Sequence, residues 1–271
     1  MQTIKEGGTY VVMGLLDRLS IAYSIGTAIQ SAGGRVVFTF QGEVLKKRYW
    51  DSDKTLGAAD KVIEHRFCDV TVEDDVKRLF SDIGPVSGVV HSIAYANPKT
   101  CLGTEFHTDA IDDIKKSYHI SAVSFATVAR YAAPCMKGGG SLVALTFDTS
   151  HTYPLYNWMG VHKAALEAIV RALARRHGRE LIRVNAVSSG PLATTAASKI
   201  PDFMRIGEIW QASSPIPWDP LTDAKSVADA VVFLLGQGAA KITGQVLAVD
   251  GGAAMVGGSL MDHERPVGPA L

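Results

Sequence analysis

The stretch LYNWMGVHKAAL, residues 155–166, sets a phenol, Tyr156, seven positions before an amine, Lys163. Seven helical residues return to within about 20° of one direction and rise roughly 10 Å, so the two groups share a face without touching. The phenol is a hydrogen-bond donor and a weak acid; the amine is a cation with three donors. Taken alone, each also has a plain structural role, a tyrosine packed at a subunit contact and an exposed lysine. Four residues before Lys163 stands Met159, which is neither acid nor base. The eight histidines show no H-E-x-x-H or comparable spacing, which argues against a metal centre.

The elements that must position these groups alternate. Apolar runs TYVVMG (9–14), RVVFTF (35–40), VIEHRFCDV (62–70) and VSGVVHSIA (86–94) are separated by helical patterns at 20–34 and 72–84. A long helix within 108–136, the run SLVALTF (141–147), the Tyr156 helix, IRVNAV (182–187), a helix over 223–236 and GQVLAVDGG (244–252) continue the pattern. Seven apolar strands flanked by helices predict an α/β fold, a doubly wound parallel sheet in a single domain covering 1–271. Such sheets bind ligands beyond the carboxyl ends of their strands, here just after residues 14, 40, 69, 93, 147 and 188. The proline-bearing segment 198–220 breaks the alternation, as an insertion serving as a substrate lid would.

The first half carries weak signals for a dinucleotide. GLLDRLSIAYSIG follows the first strand and opens the first helix without a G-x-G-x-x-G. Gly14 supplies the tight turn, Ser20 an N-cap and phosphate contact beside Ile21, and the helix dipole favours an anion there. After the second strand, Gln41 suits ribose hydroxyls and Glu43 repels a 2′-phosphate, which favours NAD over NADP. Lys46, Lys47 and Arg48 pull the other way unless they form a solvated basic face. Asp69 is placed to recognise an adenine amino group or to cap the helix that follows it, with Val70 over the ring. Ser92, Ile93 and Ala94 would line the cofactor after the fourth strand, and His91 reads as a structural histidine.

Together YNWMGVHKAALEAIVRALA, GPLATTAAS, FCDV, HSIAYA and ITGQVLAVDGG resemble the enoyl-(acyl carrier protein) reductases of bacterial fatty-acid synthesis, a divergent branch of the short-chain dehydrogenase/reductase superfamily. The similarity runs over nearly the whole chain. It implies a Rossmann-like domain, NADH as cofactor, an enoyl thioester on acyl-carrier protein as substrate, and a cytoplasmic homotetramer. In that pattern Tyr156 stabilises the enolate oxygen and Lys163 bonds the nicotinamide ribose. Phe147 gates the substrate or shields the hydride path. Gly190, Pro191, Leu192 and Thr194 serve the carboxamide and pyrophosphate, with a helix cap as the competing role of Thr194. The segment 195–212 resembles the loop over the acyl chain, with Ala196, Ala197, Ile200 and Phe203, together with Tyr95 and Met159, as substrate contacts. FDTSHTYPLYNWM resembles a mycobacterial subgroup, while Ala94 and Ala193 stand where glycine and arginine are common.

Composition excludes other classes. Lys and Arg (27) balance Asp and Glu (27), so no global field recruits nucleic acid or an anionic membrane. Three spaced cysteines, Cys68, Cys101 and Cys135, point to a reducing compartment, and no run approaches the roughly 20 apolar residues of a membrane span. Two rivals remain: a short-chain dehydrogenase acting on keto or hydroxyl groups, and a non-catalytic NAD-binding sensor.

Overall fold

A computed structural model of the chain describes residues 4–57, 62–103, 106, 110–153 and 155–256. Seven strands form one sheet: β1 Thr9–Met13, β2 Arg35–Phe40, β3 His65–Phe67, β4 Gly88–His91, β5 Gly140–Thr146, β6 Ile182–Ser189 and β7 Val246–Val249. Every pairing is parallel and the order is β3-β2-β1-β4-β5-β6-β7. The chain therefore winds outward in one direction from β1 and in the other from β4, and the crevice between them is the switch point that a doubly wound sheet offers to a ligand.

Alternation along β1 explains its unbroken apolar run. Tyr10 and Val12 enter the core on one face with Ile25, Phe38, Val231 and Leu234; Val11 and Met13 enter the other with Phe80, Phe125, Leu142 and Leu166. Both faces are buried, and each fully buried side chain of this size contributes ~1.5–3 kcal/mol. Helices α1 Ile21–Ser31 and α7 Ala224–Leu235 pack together on the first face. On the second lie α2 Glu73–Ile83, α3 Ile111–Tyr118, α4 Ser124–Ala132 and α5 Asn157–His177. Helix α6, Phe203–Ser213, belongs to the insertion after β6.

Several expected boundaries shift. The strand expected over 62–70 pairs only at His65–Phe67, the one over 86–94 only at Gly88–His91, and the one over 244–252 only at Val246–Val249. The long helix expected within 108–136 is α3 and α4 joined by a π-helical segment, His119–Val123. That widening points Ser121 out of the helix ladder, where its hydroxyl donates to the Tyr95 carbonyl and accepts from the Tyr95 N–H. Of the expected C-terminal portion, residues 257–271 lie outside the described residues.

Candidate active site

The cofactor side is built by backbone approach. β1 and β4 run in register to Met13 and His91, so Gly14 and Ser92 leave the sheet side by side. Gly14 has φ +92°, and a Cβ there would lie 2.1 Å from the Ser92 carbonyl oxygen; only glycine fits this turn. Ser20 occupies the N-cap position of α1 but does not cap it by side chain, a correction to the expected role. Its hydroxyl accepts from the Leu16 and Asp17 N–H groups, folding the loop back on itself. The helix start at Ile21 thus carries neither a side-chain cap nor an acid in its first turn.

Gln41 and Asp69, predicted independently as adenosine contacts, are brought together: the Gln41 amide donates to Asp69 at 2.9 Å. Burial raises the Asp69 carboxyl, but hydrogen bonds from Gln41 and Thr71 outweigh it and hold the group below the ordinary carboxylate range. The capping role expected for Asp69 is not observed, because its carboxylate accepts from Thr71 and the N-cap of α2 is Val72. Val70 is buried in the core rather than open to the crevice. Lys47 pairs with Glu43 and Lys46 with Asp51, so two of the three nearby cations are matched within their own helical turn. Ser92 and Ile93 are half-buried, and Ala94 and Tyr95 open to solvent at the crevice. His91 bonds Ser124, and burial pushes its pKa down to about 3, as suits a neutral structural histidine.

Tyr156 lies at the N-cap of α5, one residue earlier than a position inside the helix. Its neighbours Leu155 (φ +70°) and Asn157 (φ +35°) are both left-handed, a strained corner of the kind that collects at functional sites. The corner lays the Tyr156 ring against Phe147 at the end of β5, with centroids 4.7 Å apart. Burial raises its pKa well above the ordinary phenol, so the group keeps its proton. Its hydroxyl has no hydrogen-bond partner among the described residues, which leaves a donor available. Met159 and Lys163 are buried on the same helix. The Lys163 ammonium donates to the Leu145 carbonyl at 2.8 Å. Burial pushes its pKa down to about 8, opposed by Glu167 one turn on.

Glu167 was not legible as part of the site. It accepts from Thr146 at 3.0 Å and Thr149 at 2.8 Å. Its signal was the i+4 spacing from Lys163 on a helix buried along that face. Also missed were Tyr153 and Trp210, which close around Phe147, and Asp148, which accepts from Tyr153 at 2.6 Å. Ser150 and Asp148 both meet the same nitrogen, Nδ1, of His151, so these three do not form a nucleophile relay, which needs opposite ring nitrogens.

After β6, Gly190 lies under two indoles: a Cβ would come within 2.6 Å of Trp218 and 2.9 Å of Trp210. The Trp218 N–H donates to the Pro191 carbonyl, and Leu192 is buried beside it. Thr194 accepts from the Ala197 N–H at 3.0 Å, closing the turn ahead of the helical turn Ala197–Lys199, whose N-cap is Ala196. Ala197, Ile200 and Phe203 are half-buried and Ala196 is exposed.

Residues 14–254 match the family model described as Enoyl-(Acyl carrier protein) reductase. The chain belongs to that family. The enoyl-(acyl carrier protein) reductase FabI of Bacillus subtilis is 37% identical over 91% of this chain and 96% of its own length. The enzyme of Mycolicibacterium smegmatis is 33% identical over 93% and 98%. The Anaplasma phagocytophilum reductase, solved with NAD, superposes with a TM-score of 0.84 at 34% identity, covering 94% of this chain and 97% of that one. In this reductase the phenol and the amine thus stand in a fold whose relatives carry out NADH-dependent enoyl reduction.

Proposed function

We propose that this reductase uses NADH to reduce the carbon–carbon double bond of trans-2-enoyl thioesters. The observation that carries the reading is the unpartnered, protonated phenol of Tyr156 on the helix of the buried Lys163, with Met159 where an alcohol dehydrogenase needs its tyrosine. The residues present fit the cofactor. Gly14 clears a backbone cradle, the uncapped start of α1 suits a pyrophosphate, and Gln41 with Asp69 forms an amide–carboxylate edge for the adenosine. NADH, when bound, supplies a hydride to C3 of the enoyl group.

The chain's own residues manage the charge and the proton. Negative charge collects on the thioester oxygen as C3 is reduced, and the Tyr156 O–H is the donor that meets it. Because this phenol holds its proton tightly, it acts as a hydrogen-bond donor rather than a base, and C2 takes a proton from solvent to complete the saturated thioester. Lys163 spends one of three donors on Leu145, leaving two for ribose hydroxyls, and its charge favours the enolate. Gly190 to Leu192 and Thr194 frame the carboxamide and pyrophosphate end, and Ser20, Ile21, Ser92, Ile93 and Ala94 line the crevice. The segment 195–212 covers the acyl chain.

The keto or hydroxyl rival needs a free hydroxyl at the end of β5. Thr146 is the nearest, and it is buried and committed to Glu167. Supplying NADH with a crotonyl thioester and with an acetoacetyl thioester separates the two. Oxidation of NADH by the crotonyl substrate is expected; turnover of the keto substrate alone would overturn the reading, and no turnover of either would favour a sensor.

We extend the reading to a cytoplasmic homotetramer acting on chains held by acyl-carrier protein. The unpaired Cys68, Cys101 and Cys135 support a reducing compartment. Among the described residues no helix is long and apolar enough to cross a membrane.

A further inference from the structure

Phe147 touches Tyr156, where the reacting double bond must sit, and it packs on two further aromatic rings. Its ring lies 5.1 Å from Trp210 and 5.0 Å from Tyr153, and those two rings lie 5.2 Å from each other, a closed triangle. Trp210 is 2% exposed and Phe147 9%, so the space behind the reacting position is filled. Each outer ring is also tied by its polar end. The Trp210 indole N–H donates to the Asp250 carbonyl at 2.9 Å, and the Tyr153 hydroxyl donates to Asp148 at 2.6 Å. Asp148 is itself fixed by Ser150 and His151. A Cβ on Gly190, just after β6, would lie 2.9 Å from the Trp210 indole nitrogen, so the backbone packs closely against that end of the ring.

Trp210 lies on the segment 195–212 that is proposed above to cover the acyl chain, so a chain running from Tyr156 beneath that segment would abut this triangle. Two aromatic rings anchored at their polar ends form a wall rather than a hinge, because moving Trp210 strands a buried donor and moving Tyr153 breaks its bond to Asp148. Resting on the enoyl-reduction reading, we propose that Tyr153 and Trp210 end the acyl subsite and make this enzyme selective for short-chain enoyl thioesters, butenoyl and hexenoyl over dodecenoyl.

The test is kcat/KM for crotonyl, octenoyl and dodecenoyl thioesters with NADH, in the intact enzyme and in Trp210→Ala and Tyr153→Ala. The intact enzyme should lose about tenfold or more from crotonyl to dodecenoyl, and each variant should raise the dodecenoyl-to-crotonyl ratio by about tenfold. Trp210→Phe, which keeps an aromatic ring and loses only the tether to Asp250 and some volume, should give a smaller rise in the same direction and guards against a misfolded alanine variant. A dodecenoyl preference in the intact enzyme, or ratios unmoved in the variants, would overturn the wall. Failure of the unaltered enzyme to reduce any enoyl chain would instead remove the enoyl reading and the wall together.

Discussion

Tyr156 and Lys163 are set apart by environment as well as by distance. Burial keeps the phenol protonated, as a donor to an enolate must be, while the same burial brings the Lys163 ammonium to about 8. This sets the sign of the pH dependence. The amine works as a cation, so kcat/KM should be level below pH 8 and fall as Lys163 loses its proton above it. A profile level to pH 10 would show that the charge is not used. The native pKa lies below the ordinary 10.5, so the unfolded chain binds more protons between about pH 8 and 10.5. Stability measured by urea unfolding should therefore rise with pH through that window from this group. The identities of these two residues were legible in their spacing; the Leu145 carbonyl that holds Lys163 was not, since it comes from the strand beneath the helix.

Elements fix the crevice by how closely they approach. Gly14 joins β1 to the first helix in a conformation that other residues adopt only with strain, against a carbonyl 2.1 Å from where a Cβ would be. Gly14→Ala should cost about 2–4 kcal/mol of unfolding free energy and weaken NADH binding measured by fluorescence titration. A variant with unchanged stability and affinity would contradict the close approach. The strands β1, β2, β5 and β6 were readable because burial on both faces leaves an unbroken apolar run. β3, β4 and β7 were over-extended, because residues of the flanking loops, Ser92–Ala94 after β4 and Asp250–Gly252 after β7 among them, read as strand. The π-helical His119–Val123 left no mark in periodicity, and the packing of Trp210 on Phe147 joins segments far apart in sequence, beyond the reach of any local pattern.

At the scale of the molecule, the apolar surface left outside the fold is informative. Ile111 on α3, Val161 on α5, and Val246 and Leu247 on the edge strand β7 are exposed, apolar surface that the proposed tetramer would cover. Sedimentation equilibrium should return four chains; a monomer at micromolar concentration would remove the tetramer from the account. The most direct measurement of which bond is reduced is transfer from NADH deuterated at the reactive C4 position to a crotonyl thioester, with NMR of the product. Deuterium is expected at C3 and a solvent proton at C2 of a saturated thioester. Deuterium found only on a carbon bearing a new hydroxyl, with a keto thioester as substrate and the crotonyl group untouched, would contradict enoyl reduction.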